Sequence, residues 1–215
     1  MKKGYTDVTV VLDRSGSMSS IKADMEGGFA SFVEKQRQLP GTCLVSMVHF
    51  DGEATEVRYV ATPIANVGPL ALHPRGNTPL LDATAFTIRL TGERLAAMSP
   101  DARPENVLVL IITDGQENAS HNTTAAALKS MIEHQRSVYK WDFVYLGANV
   151  NAFAEAQKMG IPAETAAAYD ADGEGVKSAF DVLNPKFAAY RGGNKEALAY
   201  TPSERGRMKR DKSSK

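Results

Sequence analysis

A second cysteine is missing from this chain. Cys43 stands alone among 215 residues, so no disulfide can form within it. A lone thiol fits a reducing compartment. Long hydrophobic runs are missing too. The longest nearly uniform one, Asn106 to Thr113, falls far short of the ~20 apolar residues a membrane helix needs. After Lys2 and Lys3 the only early apolar run, Val8 to Leu12, is cut off by Asp13, which leaves no secretory signal pattern. These absences predict a cytoplasmic protein without membrane contact.

Net charge is absent as well. The 25 basic and 25 acidic residues sum to +0, so no global field argues for nucleic acid. The four histidines (His49, His73, His121, His134) show neither HExxH nor Cys/His spacing, and a zinc site is not expected. No GxxxxGK[ST] phosphate loop and no GxSxG elbow occurs, so a nucleotide hydrolase would lack its usual machinery. No internal repeat is visible.

What is present is the size and patterning of one well-buried domain, with 43% hydrophobic residues. An apolar, β-rich run ends at Asp13. A helix follows, with Met18, Ile21, Met25, Phe29, Phe32 and Val33 at a period near 3.6. Within it, Gly27 and Gly28 either weaken the helix or admit a close neighbour. Cys43 to Phe50 reads as a second strand, with Cys43 a small core residue. Asp51-Gly52 is a turn signal, so Thr55 to Ala61 is expected to return as an antiparallel edge strand.

A loop rich in Pro and Gly leads to Thr78-Pro79, which reads as N-cap and first helical residue. The helix runs on to just before Pro100. Asn106 to Thr113 suits a central strand buried on both faces, and ends on Asp114. Further elements are expected at Thr123 to Arg136 (helix), Trp141 to Leu146 (strand), Val150 to Met159 (helix) and Thr165 to Tyr169 (weak strand). A last helix, Glu174 to Tyr190, is expected to be interrupted by Pro185. Alternating strands and helices imply a doubly wound α/β fold. The expected sheet has six strands in the order 3-2-1-4-5-6, mostly parallel, with strand 3 an antiparallel edge and helices on both faces. Residues 1–193 form the domain. Beyond Asn194 no apolar period continues, and 194–215 is expected to be a disordered basic tail. Within it, Glu204 to Lys215 carries six basic and two acidic residues, a net +4, leaving −4 for the rest.

In that strand order the first and fourth strands are neighbours at the switch point, where ligands bind outside the carboxyl ends of the strands. Asp13 and Asp114 would then face one crevice. Ser15 and Ser17 follow Asp13 at spacing two, with Gly16 between. Carboxylates and hydroxyls are hard oxygen donors, the ligands hard cations take. Singly, each residue has an ordinary reading. Ser15, Ser17 and Thr78 could be helix caps, contributing about 1 kcal/mol each. Asp13 and Asp114 could be turn formers.

Together, Asp13-Arg14-Ser15-Gly16-Ser17, then Thr78 in Asn77-Thr78-Pro79-Leu80, then Thr113-Asp114-Gly115 resemble the three-part metal-ion-dependent adhesion site of von Willebrand factor A (vWA) domains. Ile112 to Ala119 and Trp141 to Ala152 are similar to small stand-alone bacterial and phage vWA proteins. The resemblance covers roughly Thr6 to Tyr190. It implies that Ser15, Ser17 and Thr78 ligate Mg²⁺ or Mn²⁺ by their hydroxyls. Asp13 and Asp114 would hold the ion directly or through water, with one position open for a partner's Asp or Glu. Arg14 would either steer an acidic partner or lie on the surface. Asp82 and Glu117 would be supporting or surface groups.

The function implied is a non-enzymatic protein-interaction module, an assembly factor or a companion of a separate ATPase. Two other classes stay open. One is a metal-dependent enzyme on phosphate or peptide substrates. Against it, the position two after Asp13, where aspartyl phosphatases want a second Asp, holds Ser15, a poor general acid. The other is a nucleic-acid-binding accessory protein using the basic tail, which would show steep salt dependence; nucleic acid is not the expected partner.

Overall fold

The structure, a computed structural model, describes residues 1–148 and 151–210. Six strands form one sheet: β1 (Lys2–Asp13), β2 (Thr42–Phe50), β3 (Thr55–Pro63), β4 (Pro104–Thr113), β5 (Asp142–Ala148) and β6 (Ala166–Tyr169). Their order is β3-β2-β1-β4-β5-β6, as expected. All neighbours run parallel except β2 and β3, the hairpin pair joined through Asp51-Gly52. The helices are α1 (Lys22–Arg37), α2 (Leu80–Ala96), α3 (Ala125–Tyr139), α4 (Ala152–Lys158), α5 (Gly173–Arg191) and α6 (Pro202–Met208). The expected start of α4 at Val150 lies outside the described residues.

Side chains alternate across a strand, and β1 and β4 use both faces. Val8, Val10 and Leu12 join Leu108, Leu110 and Ile112 in a core under α1 and α5. Val11, Val109 and Ile111 belong to the opposite core, closed by α2, α3 and α4. Burial on both faces explains the near-continuous apolar sequence of β4. It also accounts for Cys43, which is buried and its thiol pushed up to about 11 by that burial.

Gly28 proves to be the close-approach glycine: a Cβ there would sit 2.2 Å from the Phe180 ring, whereas Gly27 meets nothing within 4 Å. The pair of α1 and α5 therefore packs through Gly28, and Phe180 fills the space. Pro185 does not interrupt α5, which runs unbroken from Gly173 to Arg191. Proline removes one helical hydrogen bond. Here Phe180, Leu183, Phe187 and Tyr190 hold both halves to the core by burial.

The expectation of disorder from Asn194 fails as far as Arg210. Lys195–Leu198 forms a short 3-10 turn, and α6 follows with a full capping box between Thr201 and Glu204. Leu198, Tyr200 and Met208 are buried. Lys186 of α5 donates to the carbonyls of Ala197 (3.2 Å) and Ala199 (2.6 Å) and pairs with Glu204 at 2.8 Å. Arg210 pairs with Asp170, Asp172 and Glu174 at the start of α5. Three anchors at irregular spacing make no periodic signal, yet they and the ion pairs fasten the segment. Asp211 to Lys215 lie outside the described residues.

Candidate metal centre

The strand order brings the carboxyl ends of β1 and β4 side by side, with Leu12 opposite Ile112. Asp13 and Asp114 therefore come together, both buried, at 0% and 3% exposure. Asp13 is held on both oxygens. The backbone N–H of Ser15 donates to Oδ1 at 2.7 Å, and the Thr113 hydroxyl donates to Oδ2 at 2.5 Å. Asp114 is different. The Ser17 hydroxyl donates to its Oδ1 at 2.7 Å, while its Oδ2 is buried with no hydrogen-bond partner among the described residues. Burial raises the pKa of both carboxyls, that of Asp13 to about 6. Two desolvated carboxyls, one with an orphaned oxygen, are costly unless a cation compensates them.

The hydroxyls converge on the same place. Ser15 Oγ and Ser17 Oγ lie 3.2 Å apart. A Cβ built on Gly115 would come 3.0 Å from Thr78 Oγ1 and 3.6 Å from Ser17 Oγ, so Gly115 leaves room where these two hydroxyls face the same point. The structure thus brings Asp13, Ser15, Ser17, Thr78 and Asp114 together.

The capping readings fail. Ser15 precedes the 3-10 turn Gly16–Ile21 but makes no side-chain cap bond. Thr78 is not the N-cap of α2, because that position is Pro79 and the helix begins at Leu80. A hydroxyl released from capping is free to serve the crevice. Among the described residues no cluster of three or more His, Cys, Asp or Glu could hold a metal. The candidate set is of another kind, two carboxylates and three hydroxyls, all hard oxygens suited to Mg²⁺ or Mn²⁺.

Arg14 corrects both expectations for it. It is neither a steering group nor a surface residue, being only 5% exposed. Its Nε donates to Asp51 at 2.5 Å, and its two terminal nitrogens clasp Glu56 at 2.8 and 2.9 Å. Arg75 adds a second cation to Asp51 at 3.0 Å. Burial pushes the Asp51 carboxyl up, but the N–H groups of Glu53 and Ala54 and the two arginines outweigh it, and the net shift is downward. This network ties the loop after β1 to the β2–β3 hairpin.

Glu117 and Asp82 support the loop that follows β4. Glu117 accepts from the N–H groups of Leu81, Ala119 and Ser120, all at 2.7–2.9 Å. Asp82 accepts from His121 N–H at 2.8 Å. Two residues were missed by sequence reasoning. Asn118 brackets Thr78, accepting from its N–H at 2.9 Å and donating from its own N–H to its carbonyl at 3.2 Å. Thr113 fixes Asp13, and its signal was a lone hydroxyl closing an otherwise apolar strand.

No protein-family model and no curated protein matches this chain. Solved structures do. It is similar to a von Willebrand factor type A protein from Catenulispora acidiphila (17% identity, TM-score 0.55, 85% of this chain and 42% of that one). It is similar to proximal thread matrix protein 1 of the mussel byssus (15% identity, TM-score 0.59, 86% and 46%). A third is the SpRpn10 VWA domain (8% identity, TM-score 0.53, 84% of this chain and 96% of that one). The chain thus spans less than half of the first two proteins and nearly all of the third. It has the fold of a von Willebrand factor A domain.

Proposed function

We propose that this chain is a metal-dependent protein-interaction module. The observation that carries the reading is the buried, unpartnered Oδ2 of Asp114 beside three converging hydroxyls. Ser15, Ser17, Thr78 and Asp114 would hold Mg²⁺ or Mn²⁺. Asp13, with both oxygens already engaged, would act by fixing Ser15 and by its charge, or through water. When bound, the cation supplies a coordination position for a carboxylate. Two Asp charges only balance a divalent ion and the hydroxyls add none, so an unfilled coordination position can still take one more anion, an Asp or Glu of a protein partner. An assembly role, or work beside a separate ATPase, is the setting we propose for that partner.

A catalytic reading is less well supported. Asp13 has the raised pKa of a candidate acid, but it is 0% exposed and both its oxygens face internal donors. A general acid must reach the proton it moves. The basic tail gives little to a nucleic-acid reading. Arg205 donates to the carbonyls of Ala163 and Glu164, and Lys209 and Arg210 pair with Asp170.

The test has two stages. Calorimetry of the metal-free protein with Mn²⁺ should show one saturable site, lost in Asp114→Ala and Ser17→Ala variants that keep the wild-type circular dichroism. Partners are then captured on immobilised wild type in Mg²⁺ and in EDTA. A partner retained only in Mg²⁺, and lost with Asp114→Ala, supports the reading. Absence of saturable Mn²⁺ binding overturns the metal site. Capture indifferent to EDTA overturns the metal bridge.

A further inference from the structure

A second cavity opens at the other end of the sheet, where β4 begins rather than ends. It has a volume of about 500 Å³ and lies between the C-terminal parts of α2 and α3. Small-molecule sites commonly span about 300–1,000 Å³, with apolar walls and a few polar groups. Leu95, Val107 and Trp141, each buried, form the walls. Six residues along β4 separate Val107 in the cavity wall from Thr113, roughly 20 Å at ~3.3 Å per residue.

The strongest sign that the space is kept open is Gly92. It stands inside α2, where glycine is disfavoured relative to alanine. Its backbone is not left-handed, so conformation does not demand glycine. Packing does not demand it either: a Cβ there would meet only Trp141, at 3.9 Å. The missing side chain leaves cavity instead.

The rim is apolar as well. Among the described residues, seven large apolar side chains are exposed, and Met1, Val138 and Tyr139 of these line this one opening. The Lys, Arg, Asp and Glu side chains that line it have one sign. Arg103 and Lys140 line the cavity, and no Asp or Glu does. Both cations are fixed by helix ends. Arg103 donates to the carbonyls of Ala96 and Met98 at 3.2 Å, and Lys140 to that of Ser137 at 2.7 Å.

The geometry points to a binding site for a small amphipathic carboxylic acid, its apolar body against Trp141 in the space left by Gly92 and its carboxylate towards Arg103 and Lys140. The occupant is a free monocarboxylate with one apolar chain or ring. The site is independent of the metal centre and of the partner proposed for it.

The chain carries its own reporter, because Trp141 is its one tryptophan. The full chain is titrated at neutral pH with decanoate, decanol and decyltrimethylammonium, each below its micelle-forming concentration. Decanoate should shift Trp141 emission saturably and raise the thermal midpoint, because a ligand of the folded state stabilises it. Decanol should bind more weakly and the cation weakest. Gly92→Leu, which fills the cavity from a helix position, should abolish the shift while circular dichroism stays unchanged. Lys140→Asn, chosen because asparagine tolerates the left-handed backbone found there (φ 59°), should weaken decanoate about three- to fivefold, as expected for one exposed charge pair, and leave decanol unchanged. No saturable response to decanoate overturns the site. Equal binding of decanol or of the cation overturns the carboxylate, and full affinity in Gly92→Leu overturns the location.

Discussion

The hydroxyl of Thr113 donates to Oδ2 of Asp13 at 2.5 Å, from the end of β4 to the end of the neighbouring β1. This contact joins two residues that are 100 positions apart in the chain. Asp13 also accepts from Ser15 N–H, so its orientation governs where the Ser15–Ser17 turn stands.

Thr113→Val should therefore weaken Mn²⁺ binding without unfolding the protein. Losing the outer partner of a metal-site group commonly costs 10–100-fold in affinity. We expect about tenfold here, with Thr113→Ser close to wild type. Calorimetry with Mn²⁺ checks it; unchanged affinity in the valine variant would mean that Asp13 needs no such support.

Arg14 should matter for stability. Removing one partner of a buried ion pair costs about 3–5 kcal/mol. Arg75 still faces Asp51, and the Glu56 side chain is 41% exposed, so Arg14→Met should cost about 2–3 kcal/mol in urea unfolding. Arg14→Met combined with Asp51→Asn should recover part of that loss. A fully stable Arg14→Met would show that the network is ornamental.

His49 is buried, and that burial chiefly, with Arg58 and Arg14 nearby, lowers its pKa from 6.5 to about 4. Its folded pKa lies below the unfolded one, so folding expels a proton. The stability it contributes is fully present above about pH 6.5 and is lost as pH falls towards 4. Between pH 7 and 4.5 the loss should be about 2 kcal/mol. The raised pKa values of metal-free Asp13 and Asp114 act in the opposite direction. His49→Leu isolates the term: it should lose about 2 kcal/mol less than wild type over the same interval. Parallel pH profiles for the two proteins would refute the assignment.

Truncation after Gly193 removes Leu198, Tyr200 and Met208 from the core. At about 1.5–3 kcal/mol for each buried side chain, the loss should approach 5 kcal/mol. For a chain of this size that corresponds to roughly 10–20 °C in Tm. Thermal unfolding followed by circular dichroism measures it. A midpoint within a few degrees of wild type would return residues 194–210 to the status of a tail.

The sheet was legible because its signals are local: apolar runs, a 3.6 period and a turn at Asp51-Gly52. The placement of the five candidate residues was legible because each sits at or beside the end of a strand or the start of a helical turn, and the strand order puts those places together. What escaped depends on partners distant in sequence. Arg14 could not be assigned without knowing that the hairpin brings Asp51 and Glu56 to it. Thr78-Pro79-Leu80 has the look of a cap, yet the helix starts two residues later and the hydroxyl turns to the crevice. Asn118 is a polar loop residue until its grip on Thr78 is seen. The segment after Asn194 has too few apolar residues to announce itself, and its anchors are complementary to α5 and β6 rather than to one another.

The crevice draws on Ser15 and Ser17 after β1, Thr78 before α2 and Asp114 after β4, and β4 lies between β1 and β5 in the sheet. No contiguous stretch of the chain contains a working set of these oxygens. A cation cannot seed the folding of this protein, as it can where all ligands fall within one short loop. It would reward only the finished sheet, after a closure of about a hundred residues whose entropy must be met first by the apolar strands. On the ribosome, the crevice would stay incomplete until β4 had emerged and slotted beside β1. Ion binding would then report that β4 has taken its place beside β1, and a chain stalled before Asp114 would have no competent surface to offer a partner.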